Sequence, residues 1–181
     1  MTGHRKAGAS LTSPELRTSA KSINNRLQGH ASHRRKQQAP LSYAQPAPAT
    51  LERAIEIAAR AHAGQFAPDG SPYILHPLRM LVGMKSLENC MVAALHDVVE
   101  KSNVWSIERL RREGFSPSVV EAIDSLTRRP EETFKASIER AKANKIARQV
   151  KRADIADHLR HFPPESNRSD YPDALLNLLS P

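Results

Sequence analysis

The sequence has little cysteine, few aromatic residues and no long apolar run. Cys90 is the single cysteine among 181 residues, which excludes an intrachain disulfide and favours a reducing compartment, the cytoplasm. No stretch approaches the roughly 20 apolar residues of a membrane span, so no membrane partner is expected. Aromatic residues make up 4% of the chain and do not alternate with the basic residues near its start. A base-stacking surface for nucleic acid is therefore not predicted.

The net charge of +8 is concentrated in the first fifty residues. Residues 1–50 carry eight Lys and Arg against one acid, Glu15, whereas residues 51–181 carry 19 basic and 18 acidic residues. The first segment is also rich in Ser, Gln and Pro, and it cannot bury enough apolar surface to offset ordering entropy of about 1–2 kcal/mol per residue. We therefore predict a disordered basic arm and linker over 1–50 and a folded domain over 51–181.

The basic arm has three candidate roles. It could bind nucleic acid or another polyanion through its charge, it could be a targeting peptide, or it could be a dispensable extension. The last is favoured, and any binding to nucleic acid is expected to be weak and confined to the arm.

Residues 51–181 show helical periodicity and no alternating strand pattern. Thr50 is placed to cap a first helix, in which Leu51, Ala54, Ile55 and Ala58 share one face. Further helices are predicted in the segments LRMLVGMKSL, ENCMVAALHDVVEK, WSIERLRREG, SPSVVEAIDSLTRR, EETFKASIERAKAN, KIARQVKRADIADHLRHF and SDYPDALLNLL. The fold class predicted is an all-α bundle of about seven helices.

The segment MVAALHDVVEK places His96 and Asp97 side by side among apolar neighbours. Burying an imidazole and a carboxylate costs several kcal/mol, roughly, unless they are paired or bind a metal ion. His76 and Asp154 lie in other segments and offer a second imidazole and a second carboxylate. Two such pairs would make a mixed nitrogen and oxygen site that suits a divalent transition metal.

Each of these residues also has an ordinary structural interpretation. His76 could be a hydrogen-bonded core histidine, and Asp154 could pair with Lys151 or His158 on its own helix. Glu100 could be a surface acid at a helix end.

Three motifs in order carry a resemblance to a known family. AHAGQ with DGSPYILHP, then ALHDVVE, then VKRADIADHL have the order and approximate spacing of the HD-domain hydrolases of (p)ppGpp. These are the hydrolase part of the Rel/SpoT enzymes and their small stand-alone relatives. The resemblance covers about residues 51–179, nearly all of the segment predicted to fold.

The resemblance implies an all-α HD domain that hydrolyses the 3′-pyrophosphate of guanosine 3′,5′-bis(diphosphate)-like alarmones. It implies one divalent metal ion, Mn²⁺. The expected metal ligands are His76, His96, Asp97 and Asp154. Glu100 is expected to orient or deprotonate the attacking water. Substrate-binding residues are expected at Gln65, Lys151 and His158.

The sequence departs from the family pattern at four positions. Ala67 and Pro68 stand where a basic pair is common, Lys101 replaces the second acid after the HD pair, and His158 replaces an asparagine. These positions lie outside the expected ligand set and concern substrate recognition or the water network. Two alternatives follow, namely a phosphohydrolase of another phosphorylated nucleotide and a catalytically impaired nucleotide-binding module.

Overall fold

The computed structural model describes residues 47–162 and 169–180. These residues form nine helices, which are α1 (Leu51–Ala61), α2 (Leu75–Val82), α3 (Leu87–Leu95), α4 (Val98–Lys101), α5 (Ile107–Arg112), α6 (Pro117–Leu126), α7 (Phe134–Ala143), α8 (Lys145–His161) and α9 (Tyr171–Leu179). In these two ranges the β structure consists of one isolated bridge, between Phe66 and Pro72. The all-α prediction is confirmed. The predicted disorder of the arm lies almost entirely outside the described residues and stays a prediction.

Side-chain caps fix where most of the longer helices begin. Each capping oxygen accepts a hydrogen bond from a backbone N–H of the first turn, which would otherwise have no partner. The capping residues are Thr50, Ser86, Ser106, Ser116, Thr133 and Asn144. The predicted cap at Thr50 is confirmed, and so is Ser116 followed by Pro117 at the first helical position.

Helix α3 lies at the centre of the bundle. It packs against α1, α2, α6 and α8, and its residues from Met91 to Leu95 are all buried. Because α3 is apolar nearly all round, it needs neighbours on every side. The polar residues that follow α3 therefore lie next to the core. Within the described ranges, no helix has the length and apolar character needed to span a bilayer.

Two predicted helices have different bounds in the structure. The segment LRMLVGMKSL was expected to be one short helix, but α2 begins earlier, at Leu75, and ends at Val82, before Gly83. The segment from Glu88 to Lys101 was expected to be continuous, but its helix is broken between α3 and α4. The break contributes to a helix count of nine rather than about seven.

Residues 47–50, which the sequence analysis placed in the linker, lie against the α5–α6 turn. The backbone N–H of Ala49 donates to the carbonyl oxygen of Gly114 at 2.9 Å. Gly114 has a φ of +90°, and a Cβ built on it would lie 2.5 Å from the carbonyl oxygen of Ala47. Glycine is therefore required at this turn, both for its backbone conformation and for the close approach of the chain.

Candidate metal centre and adjoining pocket

The break between α3 and α4 sets the directions of His96 and Asp97. His96 is the last residue associated with α3, and Asp97 precedes α4 with a φ of −100° and a ψ of −7°. The two side chains are thus not held on a regular helix, in contrast to the continuous helix that was predicted from Glu88 to Lys101. His96 Nε2 and Asp97 Oδ2 lie 3.5 Å apart, so both can face one point.

His96 has a defined hydrogen-bonding pattern. Its Nδ1 lies 2.9 Å from the carbonyl oxygen of Ala93. Because a carbonyl oxygen only accepts, Nδ1 carries the hydrogen and donates. In the neutral ring, Nε2 then carries the lone pair, and this atom faces the other polar residues of the site.

His76 presents the same atom from the start of α2. Its Nδ1 lies 2.8 Å from the carboxylate oxygen Oδ2 of Asp157 and donates to it. Its Nε2 lies 3.3 Å from His96 Nε2. Two neutral imidazoles placed in this way have their lone pairs facing each other, which is unfavourable unless a proton or a metal cation lies between or beside them.

Asp154 on α8 completes the group. Its Oδ1 lies 3.3 Å from His76 Nε2 and 3.8 Å from His96 Nε2. Its Oδ2 accepts a hydrogen bond from Lys151 Nζ at 2.8 Å. Among the described residues, no group donates a well-aligned hydrogen bond to the buried Oδ1, although the imidazole nitrogens His76 Nε2 and His158 Nδ1 lie 3.3 and 2.8 Å from it. Such an atom is rare in a folded protein and suits a cation ligand.

The donor set fits a divalent transition metal. The ligand atoms of His76, His96 and Asp97 lie within 4.8 Å of one another, and so do those of His76, Asp154 and His158. Neutral imidazole nitrogens and carboxylate oxygens together suit metals such as zinc, manganese and iron. The structure therefore brings together the four residues predicted as ligands, whose role stays a prediction, and adds His158 beside them.

His158 was predicted to bind substrate, and the structure places it against the metal group. The residue is buried, and its Nδ1 lies 2.9 Å from the carbonyl oxygen of Asp154 and 2.8 Å from Asp154 Oδ1. Its ring meets the His76 ring edge-on, with 4.5 Å between the centroids. His158 also lines the pocket described below.

Asp157 belongs to the site and was missed by the sequence analysis. It orients His76 through Nδ1, and both of its oxygens accept hydrogen bonds from Arg79, at 2.9 and 2.8 Å. A carboxylate behind a metal-binding histidine fixes the ring and its tautomer. The available signal was its position one turn after Asp154, in the segment ADIADHL.

A pocket of about 540 Å³ adjoins the metal group. Its lining residues are Gln65, Phe66, Pro68, Tyr73, Lys101, His158 and Phe162. The connection is direct, because the Tyr73 hydroxyl donates to Asp97 Oδ2 and His158 contacts Asp154. A molecule in the pocket can therefore place a polar group beside the candidate metal ligands.

Gln65, predicted to bind substrate, lines this pocket and also forms hydrogen bonds that hold the pocket wall in place. Its Oε1 lies 2.9 Å from His62 Nδ1, and its Nε2 donates to the carbonyl oxygens of Ala61 and Lys101. Ala67 is buried beside Tyr73, so the loop presents no charge there. The predicted role of Gln65 as a substrate ligand stays a prediction.

Lys151 and Glu100 are not among the described residues that line the pocket. The Lys151 ammonium is mostly buried and bound to Asp154. Glu100 is exposed on α4, and its carboxylate accepts a hydrogen bond from the backbone N–H of Arg128. The predicted roles of Lys151 in substrate binding and of Glu100 in water activation stay predictions.

The charges of the group stabilise its carboxylates in the ionised form. Burial by itself would raise the pKa of Asp154, but the charge of Lys151 and the contacts with histidine hold it well below its usual range. Burial likewise opposes ionisation of Asp97, yet its interactions with His96, Lys101 and Tyr73 together hold its pKa below the ordinary value. Burial and the Asp97 charge raise the pKa of Tyr73, so the phenol keeps its proton and donates it.

Comparison with known proteins gives partial matches to enzymes of alarmone metabolism. The chain is 31% identical over 83 residues to the guanosine-3′,5′-bis(diphosphate) 3′-pyrophosphohydrolase of Borreliella burgdorferi, and 40% identical over 76 residues to that of Haemophilus influenzae. It is 37% identical over 82 residues to the GTP pyrophosphokinase of Streptomyces coelicolor. These matches cover 44%, 40% and 43% of this chain but only 12%, 11% and 9% of the relatives. No family model matches the chain.

A solved structure has the same overall fold. It is the structure described as a metazoan ortholog of SpoT that hydrolyses ppGpp and plays a role in starvation responses. The TM-score is 0.59 at 22% sequence identity, and the match covers 75% of this chain and 88% of the other. At this identity the likeness establishes the fold. The resemblance to HD-domain (p)ppGpp hydrolases, predicted from the motifs, is thus confirmed over the matched part of the chain.

Proposed function

We propose that this chain is a metal-dependent hydrolase that removes the 3′-pyrophosphate of guanosine 3′,5′-bis(diphosphate) or a similar alarmone. The observation that carries the proposal is the convergence of His76, His96, Asp97 and Asp154 beside an open pocket. The names of the partial relatives from Borreliella and Haemophilus supply the substrate class. The single cysteine and the soluble nucleotide substrate fit a cytoplasmic location.

The four convergent residues would hold Mn²⁺, and His158 has a ligand atom within 4.8 Å of those of His76 and Asp154. When bound, the ion would polarise a phosphoryl oxygen and lower the pKa of water. In the reaction, a water oxygen forms a bond to the phosphorus attached to the 3′ oxygen, and the bond from that phosphorus to the 3′ oxygen breaks. The 3′ oxygen takes up a proton, and inorganic pyrophosphate leaves together with GDP when the substrate is ppGpp.

The protein side chains would orient the reactants. Asp157 holds His76 with its Nε2 directed into the site, and Tyr73 holds Asp97 through its phenol. Glu100, about one turn after His96, is our candidate for accepting the proton of the attacking water. Phosphoryl transfer depends chiefly on positioning and charge neutralisation, which this arrangement supplies without a nucleophilic side chain.

A second candidate is a phosphohydrolase of another phosphorylated nucleotide. It is favoured by the pocket wall, where Pro68 lies and neighbouring Ala67 is buried, since the resemblance would place a basic pair at these positions. A catalytically impaired nucleotide-binding module is the other alternative, and it would keep metal and nucleotide binding without turnover.

The test is pyrophosphate release from ppGpp by the purified protein, with Mn²⁺ and with a chelator. Asp97→Ala is the blank, and Asp124→Ala, an exposed acid paired with Arg129, is the matched control. Release that requires metal and disappears only in Asp97→Ala supports the proposal. Absence of release with metal bound rejects the alarmone substrate, and a panel of 3′-phosphorylated and cyclic nucleotides then separates the two alternatives.

A further inference from the structure

Lys101 stands where the resemblance calls for an acid, and the structure places it at the pocket. It is the last residue of α4, and its carbonyl oxygen accepts a 2.8 Å hydrogen bond from Gln65 Nε2. Its Nζ lies 4.7 Å from the centroid of the Tyr73 ring and 3.9 Å from Asp97 Oδ2. The ammonium is therefore held beside both the pocket and a candidate metal ligand.

The contact of Lys101 with Asp97 is weak. A separation of 3.9 Å is the outer limit of an ion pair, and the lysine side chain is 40% exposed. Ion pairs of this kind contribute little to stability. Asp97 already accepts a hydrogen bond from Tyr73, so it does not depend on Lys101 for a partner. A structural role for the lysine is thus poorly supported.

The Lys101 ammonium is better placed to bind an anion in the pocket than to pair with Asp97. Among the described residues that line this pocket, Lys101 carries the only permanent positive charge. A metal cation bound by Asp97 would repel the ammonium from that carboxylate, since both are positive. The aliphatic part of the Lys101 side chain is flexible, and the pocket beside it has space for an anion.

We propose that Lys101 is a specificity-determining residue that binds a phosphate group of the substrate, next to the metal. The identity of the nucleotide in this inference rests on the proposed function, whereas the binding of a phosphate group by Lys101 does not. The family pattern has basic residues at the positions that Ala67 and Pro68 occupy in this chain. Here Lys101, at the end of α4, supplies a positive charge instead. The pocket therefore selects substrates with a highly charged phosphoryl group at the metal, such as a pyrophosphate, over those with a single phosphate.

The test compares Lys101→Met, Lys101→Arg and the wild type, with Lys85→Met as a control of equal charge change. Lys85 is exposed in the α2–α3 connection and does not line this pocket. Equilibrium dialysis measures the binding of micromolar labelled inorganic pyrophosphate and phosphate to the Mn²⁺-loaded protein, and the metal content of every variant is measured alongside. The KM and kcat for ppGpp are measured separately.

Lys101→Met should bind pyrophosphate about tenfold more weakly at unchanged metal content, with a smaller loss for phosphate. Lys101→Arg should recover most of the affinity, and Lys85→Met should match the wild type. In turnover, Lys101→Met should raise KM for ppGpp more than it lowers kcat. Thermal unfolding of each variant shows whether the fold is intact, and Lys101→Arg provides the comparison if the methionine variant is unstable.

Pyrophosphate binding that is equal in Lys101→Met and the wild type would overturn the inference, whatever the enzyme does with ppGpp. A loss of binding that follows a loss of metal would also overturn it, because Lys101 would then act through Asp97. A loss of pyrophosphate binding in a protein that does not hydrolyse ppGpp would uphold the role of Lys101 and reject the proposed function alone.

Discussion

Asp157 Oδ2 lies 2.8 Å from His76 Nδ1, although the two residues are 81 positions apart in the sequence. Burial would raise the pKa of Asp157, but its bonds with Arg79 and His76 lower it to about 2. The carboxylate is therefore ionised at neutral pH and fixes the imidazole with Nε2 toward the site. It is a positioning residue for the proposed metal centre.

Asp157→Asn should weaken Mn²⁺ binding by about 10–100-fold, because the amide is a poorer partner for the imidazole N–H. Competition with a metal indicator measures the affinity. Arg79→Met is the matched control, since it removes two hydrogen bonds to Asp157 but leaves the contact between Asp157 and His76. A larger loss in Arg79→Met than in Asp157→Asn would contradict this account.

Metal binding should also stabilise the fold. At a Mn²⁺ concentration of about 100 times Kd, the free energy of unfolding should rise by about 2.7 kcal/mol, which a thermal melt detects as a higher Tm. Asp97→Asn should remove most of this rise, whereas Asp124→Asn, on the surface and paired with Arg129, should keep it. An equal rise in both variants would place the bound metal elsewhere.

The variant Glu100→Gln distinguishes a catalytic role of Glu100 from a structural one. The glutamine oxygen can still accept the hydrogen bond from the Arg128 N–H, but the neutral amide cannot act as a base. If Glu100 accepts the proton of the attacking water, kcat for ppGpp should fall by about 10²–10⁴-fold with Tm unchanged. A lower Tm with kcat nearly intact would make Glu100 a structural residue instead.

The ion pair between Glu132 and Arg140 should make stability depend on acid pH. The hydrogen bond from Arg140 lowers the pKa of Glu132 from an ordinary 4.5 to about 2. Its stabilisation is thus fully present above pH 4.5 and disappears as the pH falls through about 2. Glu132→Gln should lower Tm at pH 7, and the difference from the wild type should shrink between pH 4.5 and 2. A difference that stays constant over this range would reject the pair as its cause.

Gly114→Ala should destabilise the protein by about 1–3 kcal/mol, because alanine is strained at a φ of +90° and its Cβ would meet the carbonyl oxygen of Ala47. Urea unfolding measures the loss. Gly83→Ala is the control, because its φ is −80° and the nearest atom to a new Cβ is 3.4 Å away. Equal losses at both glycines would mean that the contact with residues 47–50 is unimportant.

Local sequence signals predicted most of the helices. Caps such as Ser116 and the periodicity of segments such as α6 act within a few residues, so the pattern is sufficient to indicate them. The break between α3 and α4 was not predicted, because Val98 and Val99 continue the apolar pattern across it. In α1, Ile57 is fully buried although it was not on the predicted apolar face.

The candidate site was predicted in part. The residue types and the motif order pointed to His76, His96, Asp97 and Asp154, and the structure brings these four side chains together. Asp157 was not found, because its partner lies on another helix and no local pattern marks the pair. Lys101 was noticed only as a departure, and its position beside Asp97 and Tyr73 became visible in the folded chain.

The sequence by itself determined the helical class, the helix starts that follow Thr50 and Ser116, and the kinds of side chain available for a metal site. These follow from capping, periodicity and donor chemistry, which depend on the residue and its near neighbours. Only the tertiary structure decided which donors converge, which oxygen of Asp154 is left without a well-aligned hydrogen bond, and that Lys101 reaches the pocket. The reason is that distances between helices are set by long-range packing around α3, which no local pattern specifies.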